Sequence, residues 1–158
     1  MQEAHIDKSE LERLVAKLER SPTVLKEAKR QAFEAAAPKL KSAVQTEIGG
    51  TGKVKSWQEG YVGSKGGYAA ARPKAETWTE RTKKTGKRYA VGYVTNAINS
   101  GHRFPSPSGR KGYRPDIRSG AMRVRGREFY QRAQTQAEGV AQEAAEQILD
   151  ALMKSLEG

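Results

Sequence analysis

Two alanine-rich helical stripes, one towards each end of the chain, limit its fold more than any other feature. Leu25, Ala28, Ala32, Ala36, Leu40 and Val44 recur on a helical period, and so do Phe129, Ala133, Ala137, Val140, Ala144, Ile148, Leu152 and Leu156. Residues so spaced share one face of a helix, and that face needs an apolar partner. Alanine lets the partner come close. Local signals place the boundaries. Ser9 with Glu12 makes a capping box ahead of Leu11, Leu14, Val15 and Leu18, which predicts a short amphipathic helix. Ser21 followed by Pro22 has the form of an N-cap and first helical residue, so a second helix is expected from Pro22 to Ile48, closed by Gly49 and Gly50. Pro38 withdraws one backbone donor inside that helix and predicts a kink or break near Ala35–Ala37.

Between the stripes, glycines and β-formers replace the helical period. Trp57–Val62, Tyr68–Pro73, Ala75–Thr82 and Arg88–Thr95 are the expected strands. Gly63–Gly67 reads as a turn, and Lys83-Lys84-Thr85-Gly86-Lys87 as a basic hairpin loop. Asn96–Ser100 reads as a short helical turn. The fold class expected is therefore α+β: a helical N-terminal third, an antiparallel sheet of about four strands, a long basic loop, and a C-terminal helix over Phe129–Leu156 packed on the sheet. A length of 158 residues suits a single domain. With aromatics at only 7%, Trp57, Tyr61, Tyr68, Trp78, Tyr89 and Tyr93 are expected to serve the core of the sheet rather than a base-stacking platform.

Charge is concentrated in the middle of the chain. Residues 1–50 carry nine basic and eight acidic side chains, residues 51–132 nineteen and five, and residues 133–158 one and five. The whole excess behind the net +11 lies in the central segment, which keeps nucleic acid and acidic protein surfaces open as partners. Its densest part, 101–127, holds eight Arg or Lys against Asp116, with five glycines and three prolines. Such a stretch reads as a basic loop or arm that orders on a neighbour.

The same composition argues against most catalysis. Without cysteine there is no disulfide, thiolate nucleophile or Cys-based zinc site, and His5 and His102 are too far apart in sequence for ordinary metal-ligand spacing. No cofactor is expected. Gly63-Ser64-Lys65-Gly66-Gly67 lacks the spacing of a phosphate loop. Glu59, Glu76, Glu80, Asp116 and Glu128 are scattered among cations rather than paired. One chemical group remains: His102, Arg103, Tyr113 and Arg114 have the residue types of a metal-free RNA-cleaving toxin. No apolar run is long enough to span a bilayer and Met1–Lys8 lacks the form of a signal peptide, so synthesis and retention in the cytosol are expected.

Three motifs occur in a telling order. Thr51-Gly52-Lys53-Val54 follows the N-terminal helices. Asn99-Ser100-Gly101 closes the run from Tyr93, and Glu128-Phe129-Tyr130-Gln131-Arg132-Ala133 opens the last helix. Together they resemble the T-G-x-[LV] step, the acidic or polar residue with glycine two later, and the P-F-[LIY]-x-x-A helix start of the neck or tail-completion proteins, minor tail components of long-tailed bacteriophages. Asn99 stands where that family commonly has glutamate, and Glu128 where it has proline. The resemblance covers most of residues 9–156. It implies a non-enzymatic structural subunit of the head-to-tail junction or tail top, forming a homo-oligomeric ring in the virion and joined to other connector and tail proteins. Non-specific contact with packaged DNA is a further expectation. Arg103, Phe104, Arg110, Lys111, Tyr113, Arg114, Arg118, Arg123, Arg125 and Arg127 are then the candidate assembly or DNA-facing residues.

Overall fold

The computed structural model describes residues 8–50, 52–103 and 123–157, and its first element, α1, runs unbroken from Lys8 to Ile48. The two N-terminal helices expected from the Ser21-Pro22 signal are one helix of 41 residues, and neither Pro22 nor Pro38 ends it. Ser21 does not cap. Its hydroxyl donates back to the Lys17 carbonyl at 3.1 Å, one turn earlier in the same helix. Each proline removes one hydrogen bond from a ladder of many, and packing further along the helix outweighs that loss.

That packing is helix on helix. α4 (Phe129–Glu157) lies along α1 in the opposite direction. Arg132 pairs with Glu47 at 2.9 Å, Lys39 with Glu143, and the Lys17 ammonium reaches the Leu156 carbonyl at 2.9 Å, so α1 numbers fall as α4 numbers rise. These pairs are largely solvent-exposed and contribute at most about 1 kcal/mol each, so they fix register more than stability. Stability comes from the stripes. Ala43, Val44 and Ile48 of α1 enclose Phe129 and Ala133 of α4, and further along Ala32 and Ala36 meet Ala144. Phe129 is wholly buried, which alone is worth about 1.5–3 kcal/mol.

The rest of the chain packs on this pair from the end where α1 stops and α4 begins back to about Arg30. After Gly49 and Gly50, the short α2 (Lys53–Ser56) buries Val54 in the Phe129 cluster. β1 (Gln58–Val62) and β2 (Ala69–Pro73) form an antiparallel hairpin on α1, with Gly60 opposite Ala71, and the turn between them covers the expected Gly63–Gly67. Gly60 is required by close approach, because a Cβ there would lie 2.5 Å from the Ala37 carbonyl oxygen.

The four-stranded sheet does not form. Ala75–Thr82 and Arg88–Thr95 are not strands. Residues 77–82 and 87–91 make two arms joined at the Trp78–Ala90 bridge, with Thr79 N–H donating to the Tyr89 carbonyl at 2.8 Å and Val91 N–H to the Thr77 carbonyl at 2.9 Å. The basic turn expected at Lys83–Lys87 is present between them, closed by Gly86 N–H to the Thr82 carbonyl at 2.8 Å. From Val91 the chain turns into α3 (Val91–Ser100), which absorbs both the end of the fourth expected strand and the Asn96–Ser100 turn. Val91, Thr95 and Asn99 are its buried residues, an i, i+4, i+8 set that only a helix puts on one side. Tyr89, Val91 and Tyr93 alternate along the sequence, but over a run too short to separate the strand period from the helical one.

Two further expectations are corrected. The C-terminal helix packs chiefly on α1 rather than on a sheet, and shares apolar clusters with the hairpin at Ala71, beside Phe129, and at Ala69, beside Ala144. The segment 101–127 is not loop throughout: β3 (Gly101–Arg103) and β4 (Arg123–Arg125) pair antiparallel and form a stem. Residues 104–122 lie outside the described residues. The result is helix-rich α+β, with two small two-stranded sheets among the described residues.

Candidate assembly surface

Two of the sequence motifs meet in space. Asn99, at the end of α3, accepts a hydrogen bond from the Tyr130 N–H on its Oδ1 at 3.1 Å, while its own carbonyl accepts the Glu128 N–H at 2.9 Å. A buried side chain from one motif thereby caps the helix that the other motif opens. Gly101 and Gly126 complete the joint. Gly101 has φ +79°, and a Cβ there would lie 2.3 Å from the Val124 carbonyl oxygen; one on Gly126 would lie 2.3 Å from the Asn99 carbonyl oxygen. No residue with a side chain fits either place without moving the backbone.

The next residue of the motif carries the joint into the core. Tyr130 donates through its hydroxyl to Oε1 of the fully buried Gln58 at 2.6 Å, and Gln58 Nε2 donates to the Val54 carbonyl at 3.1 Å. Burial pushes the Tyr130 phenol up to about 12. The three motifs, at 52–54, 99–101 and 128–133, therefore meet in one hydrogen-bonded and apolar junction.

The stem projects from that junction. His102 sits opposite Val124, both exposed, and Arg103 is in register with Arg123. Arg125 and Arg127 are exposed, with the Arg127 carbonyl accepting from the Arg132 guanidinium. Of the ten candidate assembly residues, Arg103, Arg123, Arg125 and Arg127 thus belong to the stem or its base. Phe104, Arg110, Lys111, Tyr113, Arg114 and Arg118 lie outside the described residues, as do Tyr113 and Arg114 of the RNA-cleaving group. Among the described residues, no group of three or more His, Cys, Asp or Glu is placed to hold a metal ion. No described helix is long and apolar enough to cross a membrane.

A second surface was not legible as such. The six aromatic residues expected in a sheet core divide: Trp57 and Tyr61 are half-buried, whereas Tyr68, Trp78, Tyr89 and Tyr93 are exposed. Tyr61 and Tyr68 face each other at the mouth of the β1–β2 turn, and Arg72 lies 3.4 Å over the Tyr61 ring while pairing with Glu59 at 3.0 Å. Trp78 is 60% exposed and Tyr93 69%, and Tyr93 stacks on Tyr89 with ring centroids 6.5 Å apart. Trp78 separates two open grooves. One, of about 460 Å³, is walled by Lys53, Trp57, Trp78, Arg81, Tyr89 and Val94; the other, of about 380 Å³, by Arg72, Lys74, Trp78 and Asn96 among others. The signal in the sequence was the run of five cations from Arg81 to Arg88 directly beside these aromatics, which marks that end of the segment as solvated.

Comparison with known proteins gives this surface no precedent: no family model, curated protein or solved structure matches the chain.

Proposed function

We propose that this protein is a structural subunit of the head-to-tail junction or tail top of a long-tailed bacteriophage, needed for tail completion and acting as part of a homo-oligomeric ring. The observation that carries the reading is the joint itself. The residues by which the chain resembles tail-completion proteins are spread over about half its length, yet Val54, Asn99, Gly101, Phe129 and Tyr130 converge on one junction. A motif set shared for structural reasons behaves this way. Support also comes from the surface, where large aromatic side chains and cations stand exposed together, as suits a chain that completes its burial in an assembly. Arginines of the stem are suited to phosphate contacts independent of sequence, as packaged DNA would require.

The test is removal of the gene from the phage that carries it. Particles lacking the protein should have heads and tails that fail to join or tails that fail to complete, and supplying the wild-type chain or His102→Ala should restore them. Normal particles without the chain would refute the reading. So would an RNA-cleaving activity of the purified protein that disappears in His102→Ala, which is the signature of the toxin alternative.

A further inference from the structure

The exposed grooves have a counterpart on the same chain. Towards its end, α4 leaves apolar side chains exposed: Leu149 and Met153 lie beside the stripe it buries on α1, and Leu156 is the open end of that stripe. Leu149 is 59% exposed, Met153 49% and Leu156 39%, at i, i+4 and i+7. Glu146, Asp150 and Glu157 lie on the same face and are exposed as well. This is the pattern of a helix that anchors in an apolar groove, and its charge is negative. The grooves beside Trp78 have the opposite sign. Lys53, Arg81, Arg72 and Lys74 line them against Glu80 and Glu76, and the turn that joins Arg81 to Tyr89 adds Lys83, Lys84, Lys87 and Arg88, all four exposed.

The two surfaces are unable to meet within one chain. The grooves belong to the end of the helix pair where α1 stops, since Trp57 packs on the Phe129 cluster. Leu149 lies about 30 Å further along α4, by the rise of 1.5 Å per residue. Satisfying both therefore requires a second molecule.

We propose that the acidic, apolar stripe of α4 in one copy docks into the basic, aromatic groove at Trp78 of the next, a head-to-tail interface between copies of this chain. Leu149, Met153 and Leu156 enter the clefts on either side of Trp78, and Asp150 and Glu146 face Arg81 and Arg88. Each subunit offers one stripe and one groove, so the contact repeats and closes into a ring or continues as a filament according to the rotation between copies. The inference rests on the reading of the protein as a self-assembling subunit and names the surfaces by which it assembles.

Sedimentation of the purified full-length protein tests it. The wild-type chain should associate beyond a dimer, less so in high salt. A stripe variant, Leu149→Asp with Met153→Asp, and a groove variant, Arg81→Glu with Arg88→Glu, should each be monomeric, with helical content and melting unchanged. Mixed in equal amounts they should form a dimer and nothing larger, because one keeps a sound groove and the other a sound stripe. Trp78→Ala should behave as the groove variant does. A monomeric wild-type chain, association that survives either variant, or a mixture that stays monomeric would overturn the proposal. Binding of a single-stranded DNA oligonucleotide that Trp78→Ala abolishes while leaving association intact would also overturn it, by giving the groove to nucleic acid. The outcomes separate from those of the phage experiment: a monomeric chain found in normal particles sinks the interface alone, and a chain absent from particles whose variants still form the mixed dimer sinks the tail reading alone.

Discussion

The Tyr130 hydroxyl donates a 2.6 Å hydrogen bond to Oε1 of Gln58, a residue 72 positions earlier in the chain. It joins the start of α4 to the start of β1, and Gln58 is fully buried. Removing the donor leaves that amide oxygen in the core without it. Tyr130→Phe should cost about 1–3 kcal/mol in urea unfolding, because a buried acceptor loses its partner while the ring packing is kept. A variant as stable as wild type would mean that the bond contributes nothing net.

The same phenol makes stability depend on alkaline pH. Burial raises its folded-state value from 10.0 to about 12, so between these values the native state holds a proton that the unfolded chain has released. Tyr130 therefore adds stability that is fully present below pH 10 and is lost as pH rises towards 12. The difference in stability between wild type and Tyr130→Phe should narrow over that interval. A difference that stays constant from pH 9 to 12 would contradict the assigned burial.

Asn99→Ala should destabilise by about 1–2 kcal/mol, the usual cost of losing a helix cap, raised here by burial. Asn99→Asp keeps an acceptor for the Tyr130 N–H and should lose less. Thermal melts of the two variants check the order, and the reverse order would show that the side-chain acceptor is not what matters.

Gly126→Ala and Gly60→Ala should each be severely destabilised, because the added carbon meets backbone at 2.3 Å and 2.5 Å respectively. Gly139→Ala is the control: among the described residues nothing lies within 4 Å of its added carbon, and it sits inside α4. It should stabilise by about 0.5–1 kcal/mol. Circular dichroism melts of all three would expose any failure of this ranking.

Thr95→Val should be neutral or stabilising by about 1 kcal/mol. The Thr95 hydroxyl is wholly buried in α3 without a hydrogen-bond partner among the described residues, and valine has nearly its shape without the polar atom. A clear loss of stability on chemical denaturation would show that the hydroxyl has a partner in solution.

What the sequence alone determined is what depends on neighbours in the chain. The stripes at Leu25–Val44 and Phe129–Leu156 lie on helices, Gly49 and Gly50 follow the end of the first, and the first two expected strands agree within a residue at their starts. Tertiary structure decided the rest. Ser21 and Pro22 carry a sound local start signal, but the helix passes through them because packing along α1 outweighs one absent hydrogen bond. Val91–Thr95 reads equally as strand or helix until Val91, Thr95 and Asn99 are given a core to face. The α1 stripe found its partner in α4, since small alanines on both sides let two helices approach without a sheet between them. That choice left Trp78, Tyr89 and Tyr93 outside, and burial is a property of what lies opposite in space, which no local pattern records.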